Sequence, residues 1–340
     1  MKIALAFFLL LLHLTTASHR KKFVKTIIRV PHQLYDLSTN TSRPTTVAFT
    51  LYAKRPVRRS PLVFILPGGL VLPGYYTQLS HELAYRGFIV AIPDYDQRPI
   101  PPGSPPGLAE HVAYTTTFDP PCPENGQFTS AALVSSLLEH VLSRPQPRPR
   151  WLLRKILVDR IILFGHSFGG TTALQLVAGT CAITDPLGRS PIAFLCEDFR
   201  ALPPEARVVG VMMFEGGLYL PFKYAIPHDQ FFILGASKYF MEQYEPVLQP
   251  SGNLVDVRFS EANHFAPNDF TNSSMVTRCS IPRPLPEGLF RTDFQTQRTV
   301  ISSVASVLCR SYRVFFEKRD PVLLTGLSVT NPRVETLVIG

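Results

Sequence analysis

No apolar run in this 340-residue chain reaches the roughly 20 residues that a membrane-spanning helix needs. The run nearest the start, Ile3–Leu12, follows Lys2 and precedes Thr15, Thr16 and Ala17, small residues suited to a signal-peptidase site. The expectation is a signal peptide over residues 1–17 and a protein that is secreted or held in the secretory lumen. Cysteine is also scarce: Cys122, Cys181, Cys196, Cys279 and Cys309 cannot make a dense disulfide framework. None is needed, because a chain of about 300 residues buries roughly three quarters of its unfolded surface. In an oxidising compartment five cysteines allow two disulfides and leave one thiol over. Cys181 with Cys196 brackets a short loop containing Pro and Gly and is the first pairing expected, with Cys279–Cys309 the second. Closing the first loop contributes about 3 kcal/mol in the chain-entropy model.

Nothing resembles a nucleic-acid-binding module, and there is no internal repeat. The net charge is +9, but Lys and Arg are scattered. Only Lys54–Arg59 and Arg148–Lys155 are denser, and both read as solvated loop charge. The positive balance favours transient contact with an anionic membrane or lipoprotein surface and no more. Asn40-Thr41-Ser42 and Asn272-Ser273-Ser274 are glycan acceptors on a secretory route.

What is present is an alternation of strands and helices. Val24–Val30 and Val47–Tyr52 read as opening strands. Leu62–Leu66, closed by Pro67-Gly68-Gly69, is apolar at every position, as a strand buried on both faces must be. Tyr75–Tyr85 has helical spacing, and Phe88–Ile92 is another buried strand. A helix over 129–143, a strand Arg160–Phe164, strands Val208–Phe214, Phe231–Leu234 and Leu254–Phe259, and a helix Thr299–Cys309 follow. This order predicts an α/β fold, a mostly parallel central sheet with helices on both faces, in one domain over residues 18–310. Residues 97–128, with five prolines between Pro99 and Pro106, read as a long loop that covers the site and governs which substrates enter. Residues 311–340 form a C-terminal extension whose role is not legible, and neither is the oligomeric state.

The chemistry centres on Gly165-His166-Ser167-Phe168-Gly169. Alone, a G-x-S-x-G pattern is weak, expected by chance in roughly one chain in ten of this length. Here it directly follows a strand and precedes the helical pattern Thr171–Val177, the context of a nucleophile elbow. A sharp turn there strains the serine backbone and lifts its hydroxyl above the sheet, and the flanking glycines leave room for strand and helix to pack. Ser167 is thus the candidate nucleophile. Its base must follow it in the chain, where only His228 and His264 occur. His228 precedes a strand, at the wrong sheet edge, whereas His264 lies in the loop after Phe259 and is the candidate base. The orienting acid belongs at the carboxyl end of an intervening strand: Glu215, directly after Phe214, is preferred to Glu242 and Glu261. The oxyanion donors are the backbone N–H groups of Phe168 and Gly69, each contributing roughly 3–4 kcal/mol of transition-state stabilisation.

With these residues placed, the chain resembles the secreted, calcium-independent platelet-activating-factor acetylhydrolases, and more loosely the chlorophyllases and bacterial polyester hydrolases. The resemblance runs in patches between residues 60 and 270. It rests on Gly165–Gly170 with Phe168 after the serine, on Pro61–Leu66 followed by Gly68, on Gly87–Ala91 and on Phe214–Pro221. The family has aspartate where Glu215 stands, and histidine where Pro67 stands. The resemblance implies the α/β-hydrolase fold, an acyl-enzyme route, no metal and no cofactor, and small-molecule or lipid ester substrates. Two function classes follow: a serine esterase acting on short-chain acyl or phospholipid-type esters, and a catalytically inactive binding protein on the same fold. The intact Ser, His and acid favour the esterase.

Overall fold

A computed structural model describes residues 23–36, 41–68, 73–93, 131–143, 151–181, 199–216, 224–237, 248–249, 253–259, 262, 266–267, 294–324 and 334–339. The expected signal peptide, the Pro-rich stretch 97–128, both sequon asparagines, and Cys122, Cys196 and Cys279 lie outside these residues.

The continuous apolar runs are buried on both faces of one sheet. In β3 (Ser60–Leu66), Leu62, Phe64 and Leu66 enter one core cluster while Val63 and Ile65 enter the other. This is the two-residue period of a strand whose sides are both covered. In β5 (Ile156–His166) the split is Ile161 and Leu163 against Ile162 and Phe164. Over one face lie α1 (Thr77–Tyr85) and α4 (Phe294–Ser311), contributing Leu79, Leu83, Ile301, Val304 and Leu308. Over the other lie α2 (Ala131–Leu142) and α3 (Phe168–Ala178), contributing Leu133, Leu137, Leu174 and Leu176. Each such leucine stabilises the fold by about 1.5–3 kcal/mol.

Nine strands make the sheet, in the order β1-β2-β4-β3-β5-β6-β8-β10-β11. Beyond β3 and β5 these are β1 (Phe23–Asp36), β2 (Thr41–Lys54), β4 (Ile89–Pro93), β6 (Val208–Phe214), β8 (Phe231–Ser237), β10 (Leu254–Phe259) and β11 (Val334–Ile339). The six strands from β4 to β10 in that order are parallel to one another, and β1, β2 and β11 are antiparallel to their neighbours. A separate two-stranded pair joins β7 (Tyr224–Ala225) to β9 (Leu248–Gln249). Because the central strands are parallel, their carboxyl ends meet at one edge of the sheet, the edge where Gly68, Ser167 and Glu215 lie. Among the described residues no helix is long and apolar enough to cross a membrane.

Two features depart from the sequence reading. Residues after 310 belong to the same core. α4 continues into a π-helical turn, Tyr312–Phe316; Tyr312, Val314 and Leu324 are buried, and β11 pairs with β10 from Leu254↔Ile339 to Phe259↔Val334. The expected Cys279–Cys309 pairing is corrected, because Cys309 is a free thiol. It sits on the face of α4 turned to the sheet, 6% exposed, and packs there as a small apolar side chain.

Candidate active site

The elbow is built by steric exclusion. Ser167 has φ 52° and ψ −121°, a backbone region that side-chain-bearing residues rarely occupy. Its N–H donates to the Phe214 carbonyl at 2.9 Å and its carbonyl accepts from Gly170 N–H at 2.9 Å. The two glycines of the motif hold this turn tight. A Cβ on Gly165 would lie 2.4 Å from the Gly169 carbonyl oxygen, and one on Gly169 would lie 2.1 Å from that of Leu66. Ser167 is half-buried amid fully buried neighbours. Phe168 is the first residue of α3, at the end of the helix where the macrodipole is positive.

Glu215 follows β6, the strand adjacent to β5, where His166 pairs with Phe214. It is 1% exposed and has φ 47°, and its N–H donates to the Gly235 carbonyl at 2.9 Å. A Cβ on the next residue, Gly216, would lie 2.5 Å from the Ser167 carbonyl oxygen, so the chain leaving β6 is packed against the elbow itself. Among the described residues only Ser167, Glu215 and Lys318 have positive φ without being glycine. Two of the three are therefore side by side on this edge.

The third strand of the site is β3. A Cβ on Gly68 would lie 2.9 Å from His166 Nδ1 and 3.1 Å from Ser167 Cβ, which brings the β3 turn directly against the serine. Gly68 N–H donates to the hydroxyl of Tyr76 at 3.0 Å, and that hydroxyl lies 2.8 Å from His166 Nδ1. Tyr76 is fully buried, and burial pushes its phenol well above the ordinary range, partly offset by the Gly68 bond. The Tyr76 hydroxyl thus bridges the Gly68 amide and the His166 ring. The imidazole ring is held between Tyr76 and Phe214, with centroids 6.1 Å from each. Sequence reasoning did not find this link: Tyr76 and His166 are 90 residues apart, and a tyrosine at a helix start carries no motif.

The structure brings Ser167, Phe168 and Glu215 together. It places His228 away from them, exposed before β8, where its carbonyl accepts from Asn253 Nδ2 at the opposite edge of the sheet. Gly69, His264, Glu242 and Glu261 lie outside the described residues. The neighbours of position 264 are described: Ala262 and Ala266 are buried in the cluster that also holds Phe214 and Phe259, and Ala262 N–H donates to the Phe259 carbonyl at 3.3 Å. Among the described residues no group of three His, Cys, Asp or Glu side chains is placed to hold a metal.

The strand order, the parallel core, the two helix layers and the serine turn between β5 and α3 together define the α/β-hydrolase fold. The chain is similar in structure to a ferulic acid esterase from Streptomyces cinnamoneus, with a TM-score of 0.57 and 15% sequence identity, over 93% of this chain and 96% of that one. No family model and no curated protein matches the chain.

Proposed function

We propose that the chain is a serine hydrolase of carboxylic esters acting through an acyl-enzyme. The observation that carries this is the pairing of two strained, adjacent backbones: Ser167 at φ 52° and the buried Glu215 at φ 47° on the next strand. Such strain persists only where its surroundings enforce it, and it collects at reactive sites. In this reading His264 takes the Ser167 hydroxyl proton as the oxygen attacks the ester carbonyl. The N–H groups of Phe168 and Gly69 receive the developing oxyanion. Collapse expels the alcohol, which leaves with the proton from His264, and water activated by the same imidazole then frees the acid. Glu215 orients His264 and stabilises the imidazolium.

Gly68 supports Gly69 in the donor role, because Gly68 packs against Ser167 while its own N–H already donates to Tyr76. The buried Ala262 and Ala266 support His264, since they tie the chain on both sides of it to the cluster beneath this edge. The resemblance to the acetylhydrolases points to short acyl or phospholipid-type esters, while the ferulic acid esterase adds aromatic acyl esters to the test. Secretion is part of the same reading. Disulfides persist in oxidising compartments, and Cys181 is disulfide-bonded.

The test is fluorophosphonate labelling of the purified protein together with hydrolysis of p-nitrophenyl esters of increasing acyl length, an oxidised phospholipid, a feruloyl ester and chlorophyll. Labelling at Ser167 with turnover of at least one ester class is expected, and the preferred class names the substrate. No labelling and no turnover of any ester would overturn the reading in favour of an inactive binding protein.

A further inference from the structure

At the opposite edge of the sheet the structure contains a cleft of about 860 Å³, within the range of ligand pockets. Its lining includes eight Lys or Arg residues and a single carboxylate, Glu317. They come from four separate stretches of chain. Lys54, Arg55, Arg58 and Arg59 belong to the end of β2 and the β2–β3 connection, and Arg86 follows α1. Arg160 comes from β5, and Arg313 and Arg319 from the turn after α4. The charged stretch Lys54–Arg59, which reads as loop charge in the sequence, is thereby one wall of a concave basic site.

Most of this charge has no counter-ion among the described residues. Arg86 pairs with Glu82, and Arg160 Nε lies 3.8 Å from Asp159. Among the described residues no ion pair is formed by Arg55, Arg58, Arg59, Arg313 or Arg319. Like charges brought together in this way repel, and an anion that bridges them removes the repulsion.

Two local distortions aim groups into the cleft. In β5, Pro61 pairs with Leu157 but Leu62 with Ile161, so Val158–Arg160 bulge out of register with β3. A bulge re-aims a side chain, here that of Arg160. After α4, the π-helical turn Tyr312–Phe316 leads to Lys318 at φ 56° and a bond from Arg319 N–H to the Arg313 carbonyl at 3.0 Å, which folds both arginines towards one side. At the floor stands Tyr312, 4% exposed, with its hydroxyl beside the guanidinium of Arg160. A hydroxyl and a guanidinium side by side, both lining a cleft of arginines, are a donor set that fits a phosphate: arginine forks grip its oxygens in pairs and the hydroxyl takes a third.

We infer that this cleft binds a ligand carrying clustered phosphate groups, at a site separate from the serine edge. β5 joins the two, with Arg160 at one end and Ser167 roughly 20 Å away at the other. The phosphates come either from a soluble polyphosphorylated molecule or from a lipid headgroup, and the same donors serve both.

The experiment uses the full chain and two probes, inorganic tripolyphosphate by calorimetry and sedimentation with phosphatidylcholine vesicles containing a minor fraction of a phosphoinositide bisphosphate. Arg58→Glu with Arg59→Glu is compared with Arg29→Glu and Arg200→Glu, which remove equal charge outside the cleft. Both pairs lie on exposed or half-exposed positions, and thermal melting checks the fold. The cleft pair is expected to lose at least tenfold in affinity, the outer pair less than twofold, and Tyr312→Phe several-fold without loss of a positive charge. Tripolyphosphate binding without vesicle recruitment identifies a soluble ligand, and vesicle recruitment that tripolyphosphate competes away identifies a headgroup. Failure of both probes to bind, or equal losses in the two charge-reversal pairs, overturns the inference.

Discussion

At its carboxyl end β5 turns through Ser167 with no room to spare; at its amino end it bulges into an open cleft lined by arginines. The serine edge is organised by exclusion. Backbone atoms of Leu66, Ser167 and Gly169 approach so closely that side chains cannot be added at Gly165, Gly169 and Gly216, and the strained serine turn is what remains. The basic edge is organised by convergence. Its side chains are long and charged, and among the described residues Arg55, Arg58, Arg59, Arg313 and Arg319 form no ion pair. One edge stores its free energy in backbone conformation, the other in uncompensated charge. The first suits bond-breaking, where small displacements matter, and the second suits capture of an anion.

The comparison is broken most directly at Ser167. Ser167→Ala is expected to lower ester turnover by on the order of 10⁵-fold or more, read as kcat with p-nitrophenyl esters. Unchanged turnover would remove the serine edge from the chemistry altogether. Glu215→Gln should cost roughly 10³- to 10⁴-fold in kcat with little change in KM, because it removes the charge that stabilises an imidazolium. If Glu242→Gln is instead the crippling change, the acid belongs after β8.

Tyr76→Phe is a smaller and sharper test. It leaves the Gly68 N–H buried without its acceptor, a loss of about 1–3 kcal/mol, and loosens the turn beside Ser167. Melting temperature should fall, and kcat should fall by roughly the tenfold that about 1.4 kcal/mol represents, with KM held. A drop in stability with kcat intact would make Tyr76 a packing residue only. The smallest effect is expected at Lys318, the one strained non-glycine described outside the serine edge. Lys318→Gly relieves a left-handed backbone and should raise stability by about 1 kcal/mol in denaturant titration, with turnover unaffected. That outcome would separate dispensable strain at a helix end from the strain at Ser167 and Glu215.

Much of this was readable before folding. Val208–Phe214 and Leu254–Phe259 are strands with the expected limits: the first is apolar at every position and buried on both faces, and the second turns Asp256 and Arg258 to its less buried side. β5 extends further than Arg160–Phe164, to Ile156–His166; its amino-terminal part is bulged and, from Leu157 to Arg160, partly exposed, so it lacks the continuous burial that marks the rest. The elbow was legible because its glycines and serine are contiguous, and Glu215 because it directly ends a recognisable strand. β11 was not, since its pairing depends on β10, some 80 positions earlier. Cys309 was placed in a disulfide because spacing alone does not say which face of a helix turns inward.

The sequence by itself determined which segments are buried, where the chain must turn sharply and which serine is lifted by that turn, for these follow from neighbouring residues and local sterics. The tertiary structure alone decided which distant groups meet. A strand order that crosses over from β4 to β3 to β5 brings Tyr76 to His166 and the β2–β3 arginines to those after α4. The physical reason is that burial and turns are properties of contiguous residues, whereas hydrogen-bond partners and converging charges are set by how whole elements pack.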